Sequence, residues 1–252
     1  MLVYDNKKSE RILIFSTENN LKLLKENKDW YSDGTFKAVP RIFHQLYTIH
    51  IVNDNMTIPV VYGLLPDSSQ AIYEEFFSAL LELEPLLNPI TILTDFEKAA
   101  LNAIKNVFPE ARQRGCFFHY CQVIYRNIQR DSDLYKKYRQ DPDFALYMRN
   151  FMALAFVPII DVEAKFQEFI GFDIFKTNEK LLENFSGYFC RTWLGYRTTY
   201  NQLRPRYELE LWNTHDSVYA NLLRTNNHIE GWSRGFNTMV SRKPSIWKLI
   251  EA

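Results

Sequence analysis

The chain has 252 residues, enough to bury a full core as one large domain or two small ones. At 46% hydrophobic and 24% charged, with a formal net charge of zero, it excludes extended disorder and excludes nucleic-acid binding by bulk charge alone. It has no run of 18 apolar residues and no apolar core in the first eleven, so neither a membrane span nor a signal peptide is expected. The three cysteines, Cys116, Cys121 and Cys190, form no secreted-type framework and point to a reducing compartment. Neutrality hides an uneven distribution. Residues 64–97 carry seven acids and no Lys or Arg, residues 105–139 carry eight bases against three acids, and residues 191–206 carry four Arg and no acid. Local basic faces can therefore still contact phosphates.

In chain order, residues 30–39 are rich in aromatic and β-branched types and stop at Pro40, which predicts a strand. His44 to Val52 and Pro59 to Leu65 are two further strand candidates, each closed by a turn cluster, and the short connections suggest an antiparallel meander. The period then changes. Ile72, Phe76, Ala79, Leu80 and Leu83 follow helical spacing after the cap candidates Ser68 and Ser69. Ile90 to Thr94 reads as a buried strand, Glu97 to Val107 as a helix, and Ala111 to Phe118 as another strand. The order is β-β-β-α-β-α-β, with parallel strands beside the meander. From Tyr120 onward strands disappear. Helical signals cover 134–138, 144–156, 162–170 and 181–194, and a last helix near Asn227 carries Ile229, Trp232, Phe236 and Val240. The expected organisation is a lead-in over 1–27, a first core part over 28–119, a helical insertion over 120–223 and a closing core helix in 224–252.

Three carboxylates stand in unusual settings: Asp33 in WYSDGTF, Asp95 in ILTDFE and Glu230 in TNNHIEGW. Carboxylates are the ligands that hard divalent cations prefer, and two such cations can serve phosphodiester chemistry. Each acid also has a plainer explanation. Asp33-Gly34 suits a hairpin turn, although the polar pair Lys28-Asp29 makes a poor first strand before it, and a Gly within a strand can mark close approach of a ligand. Thr94 and Glu97 suit a capping box around Asp95, and Asn227 could cap the helix that carries Glu230.

Cys116 and His119 have metal-binding types at CxxH spacing, but four ligands are needed for structural zinc and Cys121 is only a third nearby. A packed thiol and a hydrogen-bonded histidine at a strand end are favoured, and zinc is not expected. Arg191, Arg197, Arg204 and Arg206 interleave with Trp193, Tyr196 and Tyr200, as a surface that grips phosphate and stacks on bases would. A helix with core-facing aromatics and solvated Arg produces the same pattern. Neither a GxSxG elbow nor a GxxxxGK phosphate loop is present.

With WYSDGTF, PVVYGLL, LTDFEKA, GCFFH, NNHIEGW and PSIW in this order, the chain over roughly residues 10–252 resembles the Mutator-like element (MULE) transposases. The resemblance implies an α/β fold with a ribonuclease-H-like core and a large all-helical insertion before the last catalytic helix. It implies a catalytic and metal-holding triad of Asp33, Asp95 and Glu230, with Mg²⁺ as cofactor and Mn²⁺ as substitute. Cys116 and His119 match the CxxH signature of the family, in a structural or DNA-proximal role. Transposon-end and target DNA, a homodimer and a nuclear location follow as expectations. MULE proteins usually carry a zinc module before the core. None precedes Asp33 here, so a bare catalytic domain is expected, a fragment or a decayed copy. The alternative expectations are a non-catalytic domesticated domain that binds DNA or protein, and a simple Mg²⁺-dependent nuclease on the same fold.

Overall fold

The computed structural model describes the chain except for residues 38, 55, 198–201, 221, 222, 224, 226, 241, 242 and 252; the side chains of 196, 197, 202, 227, 228 and 230 also lie outside the description. The chain divides into two compact units, Met1–Arg114 with Asn226–Ala252, and Gly115–Thr225.

The first unit is a mixed α/β domain. Its chain order is β1 (Leu2–Asp5), β2 (Leu13–Phe15), α1 (Glu18–Glu26), β3 (Asp29–Thr35), β4 (Gln45–Asn53), β5 (Met56–Leu65), α2 (Gln70–Leu83), β6 (Thr91–Thr94), α3 (Lys98–Val107) and β7 (Arg112–Gly115). The strands form one seven-stranded sheet in the order β1-β2-β5-β4-β3-β6-β7. The meander β3-β4-β5 is antiparallel, as expected, and β6 joins β3 in parallel, with Asp29 opposite Thr91 and Tyr31 opposite Leu93. The mixed character follows from α2, which carries the chain over one face before β6.

Two details differ from the sequence expectation. The first 27 residues supply β1, β2 and α1, because backbone pairing with β5 holds β2 where local pattern offers little. β7 is shorter than Ala111 to Phe118: it ends at Gly115, and a helix begins at Phe117.

Alternation along the strands divides the sheet into two faces. One buries Trp30, Tyr47, Ile49, Val61 and Ile92 against Leu21 and Leu24 of α1, Phe76 and Phe77 of α2 and Ala103 and Ile104 of α3. Packing there is close enough to require Gly63: a Cβ at this position would lie 2.5 Å from the Phe76 ring. The other face buries Leu13, Leu46 and Leu64 against Phe236 and Val240 of the returning C-terminal segment, with Trp232 packed alongside.

The second unit is mainly helical: α4 (Phe117–Arg130), α5 (Ser132–Gln140), α6 (Pro142–Ala153), α7 (Val162–Ile170), α8 (Asp173–Lys176), α9 (Glu179–Phe189), α10 (Leu209–Trp212) and α11 (His215–Tyr219). A two-stranded ribbon, β8 (Tyr196–Arg197) with β9 (Gln202–Leu203), lies between α9 and α10. Phe151 meets Phe166, Phe185 and Phe189 with ring centroids 5.1–6.2 Å apart, and Tyr120 stacks on Trp212 at 5.0 Å. The first unit then resumes with α12 (Asn227–Met239) and α13 (Ile246–Ile250).

Candidate active site

Asp33 lies inside β3 and opposite Thr48 of β4, so Asp33-Gly34 is a strand segment and not a hairpin turn. Gly34 does mark a close approach, but by a side chain of the protein itself: a Cβ there would stand 2.6 Å from the Gln45 Oε1. Asp95 follows the last residue of β6. Both acids lie two positions beyond the parallel pair Tyr31–Leu93, at the carboxyl ends of adjacent strands. Strand neighbours run about 4.8 Å apart, and open α/β sheets gather their ligands at this edge.

Asp95 is oriented locally. Its Oδ1 accepts the Glu97 N–H at 3.1 Å. The capping box expected on Thr94 does not form, since Thr94 completes the buried strand and Glu97 takes the N-cap position of α3. The Glu97 carboxylate accepts from the Tyr73 hydroxyl at 2.7 Å, and that hydroxyl accepts from the Gln45 Nε2 at 2.7 Å. Burial raises the pKa of Asp95, with the Glu97 N–H partly offsetting it. Burial also raises Glu97; the Tyr73 hydroxyl lowers it, while the charge of Asp95 pushes it up. Two adjoining acids are thus held in a setting that disfavours their charge, which is the setting a hard cation relieves.

Asp33 is supported by a histidine that carries no sequence signal of its own. His50 is fully buried on β4, and burial lowers its pKa to about 3, so the ring is neutral. Its Nε2 lies 2.9 Å from the Thr48 Oγ1, which donates to the Asp33 carbonyl at 3.3 Å. With the hydroxyl proton used there, Nε2–H is the donor to Thr48. The Trp232 ring stands edge-on to His50 at 5.1 Å and tilted against Tyr62 at 5.8 Å.

These contacts fix α12 over the face that carries Asp33. Farther along, the Asn237 Nδ2 reaches the Thr35 Oγ1 at 3.5 Å. Residue 230 is on α12, one turn before Ser233 and two turns before Asn237. The side chain of Glu230 lies outside the described residues, as does the Asn226 of its motif. Among the described residues, no group of three or more His, Cys, Asp or Glu could hold a metal. The donors that are described, the carboxylates of Asp33 and Asp95, are the oxygen type that suits Mg²⁺ or Mn²⁺.

The remaining candidates lie in the helical unit. Cys116 is buried at the N-cap position of α4 and His119 is in its first turn, so the pair opens a helix and does not end a strand. Trp193 is fully buried, stacked on Tyr207 at 5.1 Å, and serves the core. Arg191, Arg204 and Arg206 are exposed, with Arg206 over the Tyr207 ring at 5.5 Å. Tyr200 and the side chains of Tyr196 and Arg197 lie outside the described residues.

Fold and site together define a mixed-sheet α/β domain with paired acids at the carboxyl ends of adjacent strands, closed on that face by a C-terminal helix. Comparison gives a partial likeness: the model of the MULE transposase domain matches residues 30–123, a segment that contains Asp33, Asp95, Cys116 and His119. A curated protein from Chaetomium globosum, described as the PKS-NRPS hybrid synthetase cheA, is 28% identical over 89 residues. That likeness covers 34% of this chain and 2% of the synthetase.

Proposed function

We propose that this chain is a transposase-type catalytic domain on a ribonuclease-H-like core, acting on the phosphodiester bonds of DNA by hydrolysis and strand transfer. Asp33, Asp95 and Glu230 are the residues that would hold the metal, Mg²⁺ or Mn²⁺. A pair of such ions, when bound, supplies activation of the attacking oxygen and stabilisation of the leaving one. The observation that carries the reading is the parallel register of β3 and β6, which sets Asp33 and Asp95 side by side within the segment matched by the MULE domain. The chain then contributes positioning. The Glu97 N–H aims Asp95, the His50–Thr48 pair steadies the Asp33 backbone, and Trp232 anchors the helix that bears Glu230. The same reading brings transposon-end and target DNA as partners, a homodimer and a nuclear location.

A second reading is a domesticated or decayed domain that binds DNA or protein without cutting. Incubation with supercoiled plasmid in Mg²⁺ or Mn²⁺ separates the two. The catalytic reading expects nicking by the wild type and none by Asp33→Ala, with DNA binding retained by the variant. A wild type that binds and never nicks leaves only the second reading. Joining of a pre-cleaved 3′-hydroxyl end to target DNA distinguishes a transposase from a simple nuclease.

A further inference from the structure

Beside Asp33, the end of β3 and the middle of α12 enclose a cleft of about 280 Å³, lined by Gly34, Thr35, Phe36, Lys37, Ser233, Arg234 and Asn237. Its chemistry is of one kind. Among the described lining residues there are two cations, two hydroxyls and an amide, and no acid, in a chain whose total charge is zero. A third cation is close by: the Lys243 N–H donates to the Lys37 carbonyl at 3.3 Å. Phe36 is 52% exposed at this edge and stands edge-on to His44 at 5.2 Å. The Asn237 Oδ1 is buried there with no hydrogen-bond partner among the described residues, while its Nδ2 reaches Thr35. A solvent-facing aromatic ring next to paired cations and hydroxyls is the combination that takes a nucleic-acid strand, with phosphates on the cations and a base on the ring.

We propose that this cleft is a DNA-backbone subsite, in which Lys37 and Arg234 contact phosphates of the strand presented to Asp33 and Phe36 stacks on an adjoining base. The assignment rests on the proposed transposase-type reading for its choice of DNA as ligand. Its geometry places the strand next to the first carboxylate, since the cleft begins at Gly34, the residue after Asp33.

The test is equilibrium binding of the full chain to a duplex oligonucleotide with a short single-stranded overhang in EDTA, where no cutting occurs, over a series of salt concentrations. The logarithm of affinity falls with the logarithm of salt by about 0.9 for each phosphate neutralised. Lys37→Gln and Arg234→Gln are each expected to make that slope shallower by about 0.9, and Phe36→Ala to weaken binding with the slope unchanged. Lys22→Gln, exposed on α1 across the sheet, is the control and leaves both slope and affinity as in the wild type. Lys37 and Arg234 are exposed, and a thermal melt checks that their replacement leaves the fold in place. Wild-type slopes in both charge variants, or no salt-dependent DNA binding by the wild type, overturn the proposal. Nicking by a wild type whose charge variants keep the full slope removes this subsite and keeps the catalytic reading; a lost slope without nicking does the reverse.

Discussion

Replacing Asp95 by Asn is expected to reduce metal-dependent nicking more than 100-fold, beyond the roughly 10- to 100-fold that loss of an outer-shell partner costs. The same change is expected to raise the melting temperature of the metal-free protein at pH 7. The sign follows from burial. Asp95 has a raised pKa in the folded chain, so the native state binds more protons than the unfolded state between the ordinary carboxylate value and the raised one. Stability therefore falls as pH rises through that window, and the ionised carboxylate burdens the fold above it. Asn keeps the shape and an oxygen for the Glu97 N–H while removing the charge. Added Mn²⁺ should then stabilise the wild type and leave Asp95→Asn unmoved. A variant that is less stable than the wild type without metal, or one that still nicks, contradicts this account.

Replacing Trp30 by Ala is expected to cost about 3–5 kcal/mol of folding stability, the range for truncating a buried aromatic. Trp30 has no exposed surface, stands edge-on to Phe108 at 5.3 Å, and donates its Nε1–H to the carbonyls of Leu24 and Asn27 at 3.1 and 3.0 Å. Its loss leaves a cavity beneath β3, three residues before Asp33, and strips a donor from two carbonyls. Since a domain holds only about 5–15 kcal/mol in total, one such change removes a large share. Urea unfolding followed by tryptophan-independent far-UV dichroism should show a lowered midpoint; a midpoint equal to that of the wild type contradicts the central place given to this residue.

The strand and helix order from β3 to β7 was legible because alternation and helical period are local properties of the chain. Trp232, Phe236 and Val240 were legible for the same reason: their spacing of four marks one face of α12, and that face is the one in the core. What could not be read locally was register. Nothing in the 61 residues between Asp33 and Asp95 states that Tyr31 pairs with Leu93, and it is this pairing that brings the acids to adjacent strand ends. The short strands β1 and β2 escaped for a related cause, since a three- or four-residue segment is a strand only through its partner. Thr94 and Glu97 fit a capping box by spacing, but the sheet claims Thr94 first. His50 gives no sequence signal because a lone histidine in an apolar strand says nothing about what burial will do to it. The cations of the cleft were also hidden. Basic runs drew attention to residues 105–139 and 191–206, whereas Lys37, Arg234 and Lys243 come together only when α12 returns to β3.

On the proposed function, Asp33, Asp95 and Glu230 form one metal-holding site. Anomalous diffraction from crystals of the full chain soaked in Mn²⁺ tests it most directly. Manganese is expected to be ligated by the carboxylates of Asp33 and Asp95 with Glu230 converging on the same centre, and any second ion to lie about 4 Å from the first. Manganese absent from Asp33 and Asp95, or a Glu230 carboxylate standing much more than about 8 Å from both, would contradict it.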